Sequence, residues 1–216
     1  MLYFSVKYYL CREQIRVIFH FYKNLSFVFF DFLFFIAYLF SNPYRVCRKF
    51  HEKRGEEKTN VYGETPLTTL MKICHLCGVH PTDRVVELGS GRGRSCFFLA
   101  SVIGAKVTGI EKISQFIKKA LFIKKALGFK NLQFNCSDFF DIDFSKVNVV
   151  YLYAPQLEDQ NILKLSEKLK TLPKGAKVIT ISYSMHHYSP KSFQSIKRFS
   201  VSFPWGRTHA FLCTKA

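Results

Sequence analysis

Apolar positions along the chain fall into three regimes. Residues 25–40, LSFVFFDFLFFIAYLF, are apolar on every side and interrupted by a single charge, Asp31. Behind Thr65-Pro66, a helix entry with proline in the first turn, Leu67, Leu70, Met71, Ile73, Cys74 and Cys77 recur at helical spacing. From Asp83 onward, short apolar runs alternate with amphipathic stretches. Runs at 85–88, 105–110, 131–136, 147–153 and 176–183 predict five strands. Between them, 94–102, 114–127 and 158–169 predict helices, the second capped by Ser114 and stopped by Gly128. Two further strand-like runs, 195–203 and 208–215, are joined by Pro204-Trp205-Gly206 and predict an antiparallel hairpin. The alternation predicts an open α/β sheet with its ligand crevice at the carboxyl ends of the strands. Within 114–127 the hexapeptide FIKKAL occurs twice in tandem. Six residues turn a helix by about 600°, so the two copies present different faces.

The first regime invites a membrane reading. A sixteen-residue helix spans about 24 Å, short of a hydrocarbon core of about 30 Å. Extension back to Phe19 brings it to length, with Lys23 reaching toward the headgroups. Asp31 near the middle would cost about 2.5–3.5 kcal/mol, offset by the phenylalanines around it. Ser41-Asn42-Pro43-Tyr44 reads as a helix stop and not as a signal cleavage site. Arg45, Arg48, Lys49, Lys53 and Arg54 outnumber Lys7, Arg12, Arg16 and Lys23, which places the C-terminal side in the cytoplasm or an equivalent matrix. The alternative is an interfacial or partner-packed apolar helix. Residues 1–60 are thus expected to be an anchoring segment with a charged linker at 51–60, ahead of a catalytic domain at 61–216.

Charge and cysteines change this picture little. Lys+Arg 32 against Asp+Glu 15 gives a net charge of +17, which favours encounter with polyanions or anionic lipid. Seven scattered cysteines fit reduced thiols. Cys74, His75, Cys77 and His80 resemble a zinc spacing, but no second pair follows and the segment continues a helical apolar pattern, so a core helix is expected and no metal.

The candidate chemistry lies at 83–93, DRVVELGSGRG. Glycines at 89, 91 and 93 follow the first predicted strand, with Glu87 just before them. A dinucleotide fingerprint would need glycine at 94, where the chain has Arg94. Pyrophosphate also disfavours a nearby carboxylate, whereas a ligand bearing positive charge, such as the ammonium and sulfonium of S-adenosylmethionine, suits one. Glu111 closes the next strand, where a carboxylate can accept both ribose hydroxyls. Asp138 ends the third, where an acid can accept from an adenine amino group with Phe139 covering the ring.

In that order ELGSGRG, IEK, SDFF and VVYLYAP resemble the class I (seven-strand) S-adenosylmethionine-dependent methyltransferases, over residues 61–216. The resemblance implies a Rossmann-like seven-strand sheet and assigns Glu87, Gly89, Gly91, Gly93, Glu111, Asp138 and Phe139 to the cofactor. Val61-Tyr62-Gly63-Glu64-Thr65 is similar to the run preceding the glycine motif in the non-SET histone lysine methyltransferases. There the loop folds over the methionine end of the cofactor, which implies that role for Tyr62 and Thr65. The histone enzymes carry two asparagines where this chain has Tyr153-Ala154, and it lacks their long nucleosome-binding extensions. A compact domain behind an apolar segment looks more like the bacterial and mitochondrial relatives, including the lysine methyltransferases of the ATP synthase c-subunit. The implied reaction is methyl transfer to a lysine of a protein substrate near a membrane, with Tyr62 and Tyr153 lining the acceptor channel. Two alternatives stay open. One is an RNA methyltransferase using the basic surface, although Tyr153-Ala154-Pro155-Gln156 lacks the leading amide or acid of enzymes that methylate planar nitrogens. The other is a membrane scaffold that binds the cofactor without turnover.

Overall fold

The computed structural model describes residues 2–55, 62–155 and 157–216. Val61, Gln156 and linker positions 56–60 lie outside the described residues, as does the expected domain boundary. Seven strands form one sheet: β1 Arg84–Leu88, β2 Lys106–Glu111, β3 Leu132–Cys136, β4 Val149–Leu152, β5 Lys177–Ile181, β6 Phe193–Phe203 and β7 Gly206–Lys215. Their order is β3-β2-β1-β4-β5-β7-β6. The first five strands run parallel, while β7 inserts antiparallel between β5 and β6. The predicted hairpin is therefore present, and the α/β class holds. Reversal of strand order beside β1 opens the crevice at the carboxyl ends of β1 and β4.

The sheet is covered on both faces. Val85 of β1 points to the side holding α4 (Leu67–Cys77), α5 (Arg94–Phe98, continued by a π-helical turn at Leu99–Ile103) and α6 (Ser114–Leu127). Val86 and Leu88 point to the side holding α7 (Asp159–Lys168) and α8 (Met185–Tyr188). The period of two along a strand thereby gives each helical layer its own core. Cys74 and Cys77 are buried in α4, as the helical reading of that segment requires. Ser114 is the first residue of α6 and not its cap; Ile113 precedes it. The tandem hexapeptides face different ways: Phe116 is buried and Phe122 is 66% exposed.

The N-terminal region differs from expectation. Three helices stand there: α1 Leu2–Phe21, α2 Leu25–Tyr38 and α3 Pro43–Lys53. No single helix among the described residues is long and apolar enough to cross a membrane, so the expected span over 19–40 is corrected to two helices broken between Phe21 and Leu25. Asn24 makes the break: its carboxamide oxygen accepts from Phe27 N–H at 3.1 Å, and its amide donates to the Ser101 carbonyl at 2.9 Å. Asp31 has no need of lipid. It sits 3.0 Å from Arg94 and accepts from the Tyr22 hydroxyl at 3.0 Å.

One face of α2, with Phe27, Phe30 and Phe34, is buried against Phe21, Phe97 and Phe98. Phe30 stacks on Phe97 at 4.5 Å. On α1, the Glu13 carboxylate accepts from the Thr68 N–H and hydroxyl, capping the start of α4, and the Tyr9 hydroxyl donates to the Ser202 carbonyl at 3.0 Å. The opposite face of α2 is bare: Phe29, Phe32 and Phe35 are 59–63% exposed, and Phe40, just past the helix end, is 96% exposed. Asn42-Pro43, read as a stop, is the start of α3. Asn42 caps its first turn and Pro43 fills it, and the helix takes in the first residues of the expected linker.

Candidate active site

The crevice is built first from backbone. Leu88 ends β1, and Gly89, Gly91 and Gly93 then take φ of +71°, +55° and +80°. A side chain at Gly93 would place its Cβ 2.6 Å from the Phe134 ring, so the turn can pack onto β3 only without one. Glu111, at the end of β2, accepts from Gly91 N–H at 2.8 Å and Ile113 N–H at 2.9 Å. One carboxylate therefore holds the glycine turn and the entry to α6 in fixed relation. Burial raises its pKa, an effect opposed by these backbone donors.

Glu87 lies on the same strand face as Val85 and so points under the turn, toward α5. It receives hydrogen bonds from Ser95 at 2.5 Å and Cys96 at 2.9 Å and is almost wholly covered. Burial pushes its carboxyl up to about 7. Its place is beneath the crevice and not on its wall. Asp138 stands at the carboxyl end of β3, ion-paired with Lys112 at 2.8 Å and accepting from Phe140 N–H at 3.0 Å. Half-buried Phe139 follows it, 4.6 Å from Phe140.

The crevice fits S-adenosylmethionine on three observations. Beside Gly89 an added Cβ would meet nothing within 4 Å, so the turn leaves open room for close approach. The Ser137 hydroxyl, between β3 and Asp138, is buried with no hydrogen-bond partner among the described residues. Glu111 retains acceptor capacity beyond its two backbone bonds. Glu111, Ser137, Asp138 and the glycines would hold the nucleoside.

Tyr62 and Thr65 fold onto this half of the site. The Tyr62 ring lies against Gly91, where an added Cβ would come within 3.2 Å of it, and its hydroxyl donates to Glu64. Thr65 shares a 2.5 Å hydrogen bond with the hydroxyl of Tyr151 in β4. Arg92, inside the glycine turn, ties the arrangement together. It donates to Glu64 twice at 2.7 Å and lies over the Phe34 and Tyr38 rings of α2 at 4.6 and 4.7 Å. Burial alone would raise the Glu64 pKa, but the Arg92 hydrogen bonds and charge bring it below the usual carboxylate value. Burial, and then Glu64, push the Tyr62 phenol well up, so it stays protonated. A cavity of about 840 Å³ adjoins these residues, lined by Tyr38, Tyr44, Arg92, Ile113 and Ser114 among others.

The other half is aromatic. Tyr153 follows β4, with its ring over Gly63, and stacks on Phe203 at 4.8 Å and 6°. Phe203 in turn stacks on Trp205 at 5.3 Å, whose indole N–H donates to the Tyr153 hydroxyl at 3.0 Å. Burial raises the Tyr153 phenol, with the Trp205 hydrogen bond opposing it. Of the residues singled out from sequence, Tyr62, Gly91 and Glu111 come together around the turn, Thr65 is tied to Tyr151 in β4, and Tyr153 meets the loop at Gly63. Glu64, Arg92, Tyr151, Phe203 and Trp205 were missed. Glu64 and Arg92 lay inside the very motifs quoted and could have been found as a buried opposite-charge pair, but nothing local marks Phe203.

Comparison with known proteins agrees with this geometry. A family model described as the ANTKMT methyltransferase domain matches residues 87–192. The H3 lysine-79-specific histone-lysine N-methyltransferase of Dictyostelium discoideum is 29% identical over 165 residues, 68% of this chain and 8% of that protein. A protein-L-isoaspartate O-methyltransferase of Methanococcus aeolicus is 28% identical over 111 residues. The chain thus spans only 8% and 49% of the lengths of these two relatives. Among solved structures, an RNA methyltransferase from Salinibacter ruber in complex with S-adenosyl-L-homocysteine is 28% identical, with a TM-score of 0.58 over 71% of this chain and 94% of that one. The strand order, the glycine turn with its paired acid at the end of β2, and these likenesses lead to one conclusion: the chain has the fold and the cofactor turn of the class I S-adenosylmethionine-dependent methyltransferases.

Proposed function

We propose that the chain N-methylates a lysine of a protein substrate at a membrane surface. The observation that carries this is the fold of Tyr62 and Thr65 onto Gly91 and Tyr151, with Tyr153 over Gly63, which makes the acceptor side a wall of rings and hydroxyls. The ANTKMT domain match and the lysine-79 enzyme support a lysine acceptor. S-adenosylmethionine, when bound, supplies a methyl carbon already activated by the sulfonium. The residues of this chain then have to orient the acceptor, exclude water and favour the free amine. An ammonium has no lone pair to attack with, and burial beside Tyr62 and Tyr153 disfavours the charged form. Both phenols are held protonated, so they orient the amine and do not remove its proton. The amine gives its proton to water before it reaches them, and activity should rise about tenfold per pH unit below the acceptor's own pKa.

The bare face of α2 supports the membrane location. Phe29, Phe32, Phe35 and Phe40 make an exposed apolar strip on a chain of net charge +17, suited to lie in an anionic lipid interface without crossing it. On this reading the catalytic sheet faces the cytoplasm or a matrix equivalent. The basic charge and the Salinibacter ruber likeness favour a second reading, RNA as acceptor. One experiment separates them: purified chain and methyl-tritiated S-adenosylmethionine are added to a membrane extract. Protease-sensitive, nuclease-resistant label that yields methyl-lysine on acid hydrolysis is expected; label lost to ribonuclease would establish the RNA reading instead.

A further inference from the structure

Beyond Tyr153 the two stacked rings differ in burial. Phe203 is buried and belongs to the core, but Trp205, at the tip of the β6–β7 turn, is 49% exposed. An indole half in water, held parallel to Phe203 at 15° and pinned by its N–H to the Tyr153 hydroxyl, keeps one π face open to solvent beside the crevice. Pro204 before it restricts the turn, and Gly206 after it takes φ of +145°, which favours glycine. Trp205, Phe203 and Tyr153 therefore form one cluster, closed by the indole hydrogen bond, between solvent and the Gly63 loop.

We propose that Trp205 is the acceptor's first contact: it receives the alkylammonium of the incoming side chain on its open face and, through its hydrogen bond, sets the Tyr153 hydroxyl that the amine meets next. This rests on the lysine reading above and names the residues that would carry its specificity. The physical logic has two stages. At the rim, where the amine is still protonated, an indole face attracts the cation and the alkyl stem packs along the ring. Burial beside half-buried Tyr153 and Tyr62 disfavours the charged form, so the ammonium gives its proton to water at the rim and only the neutral amine goes on to face the two protonated phenols. The Tyr153 oxygen, already accepting from Trp205, keeps a second lone pair for an amine N–H, which orients the nitrogen lone pair away from the phenol. Trp205 thus touches the acceptor, and with respect to Tyr153 it is a positioning residue.

Trp205 is the single tryptophan of the chain, so its emission reports on this place alone. The test is a fluorescence titration of the full chain, saturated with S-adenosylhomocysteine, with n-butylammonium chloride near neutral pH, where the amine is protonated. Sodium chloride and n-butanol serve as controls for ionic strength and for the alkyl chain. The expected result is a saturable change in emission with n-butylammonium, at least tenfold weaker with n-butanol. In Tyr153→Leu it should weaken at least threefold, with circular dichroism and homocysteine-cofactor binding unchanged. In Tyr153→Phe, which keeps the ring but loses the acceptor of the indole hydrogen bond, the resting emission should shift while cation binding is retained. A response that is linear, matched by either control or indifferent to Tyr153→Leu would overturn the proposal. Saturable amine binding in a chain that labels RNA and no protein would leave this site standing and sink the lysine reading. Lysine methylation with no amine effect on Trp205 would do the reverse.

Discussion

The two halves of the crevice are made of different material. Around β1–β3 the walls are backbone and carboxylate: three glycines at positive φ, and Glu111 accepting from two N–H groups. Around β4, β6 and β7 they are aromatic rings stacked on one another. Backbone geometry tolerates almost no substitution, because positive φ strains any L side chain and, at Gly93, an added Cβ would run into Phe134. A ring stack grades its losses, since each ring can be trimmed while its neighbours remain. The cofactor half should therefore respond to mutation as a switch and the acceptor half as a dial.

Gly91→Val should break the comparison most visibly, abolishing S-adenosylmethionine binding by calorimetry, a loss of at least about a thousandfold, because a β-branched residue at φ +55° also collides with Tyr62. Retained affinity would mean that the turn is not the cofactor seat. Next in size, Arg92→Ala leaves Glu64 buried and unpaired and strips the cation from the α2 rings. Chemical denaturation should show a loss of about 3 kcal/mol. Glu111→Ala removes one acceptor from two backbone donors and should weaken cofactor binding by roughly thirtyfold, about 2 kcal/mol. Tyr153→Leu sharpens the contrast: methyl transfer should fall about tenfold with cofactor affinity within twofold of the parent. Equal losses in both would erase the distinction between the halves.

The remaining prediction concerns Glu87. Its folded pKa is raised from 4.5 to about 7, so the native state holds a proton that the unfolded chain releases. The associated stability is complete below about pH 4.5 and is lost as pH rises through about 7, with a slope of at most about 1.4 kcal/mol per pH unit. Thermal unfolding of Glu87→Gln across that window should lack this decline. A parallel pH profile in both proteins would show that folding leaves the Glu87 pKa unshifted.

The same contrast explains what could be read from sequence. Strand–glycine–helix punctuation and acids at strand ends are local signals, and Gly89, Gly91, Gly93 and Glu111 fall within one short stretch. The ring stack draws on β4 and the β6–β7 turn, some fifty residues apart, so no local pattern marks Phe203 or Trp205 as partners of Tyr153. Glu87 illustrates a finer limit: its position beside the turn was plain, but the face it takes follows from strand alternation, which directs it to Ser95 and Cys96. The N-terminal misreading has another cause. A helix apolar on every side looks the same whether its partner is lipid or Phe97 and Phe98, and the pairing that decides, Asp31 with Arg94, spans 63 residues. The Asn42-Pro43 start of α3 was legible, but a cap that begins one helix also ends the previous one.

The contact between Tyr9 and Ser202 fixes when this molecule can be finished. The two residues are 193 positions apart, so α1 cannot take its final seat until β6 has left the ribosome. At about 5–20 residues per second, that is a wait of roughly 10–40 seconds after Tyr9 is made. The inner phenylalanines of α2 emerge early as well, ahead of the Phe97 and Phe98 rings that cover them. For about a third of this interval the most apolar stretch of the protein is a nascent chain whose covering rings have yet to be made.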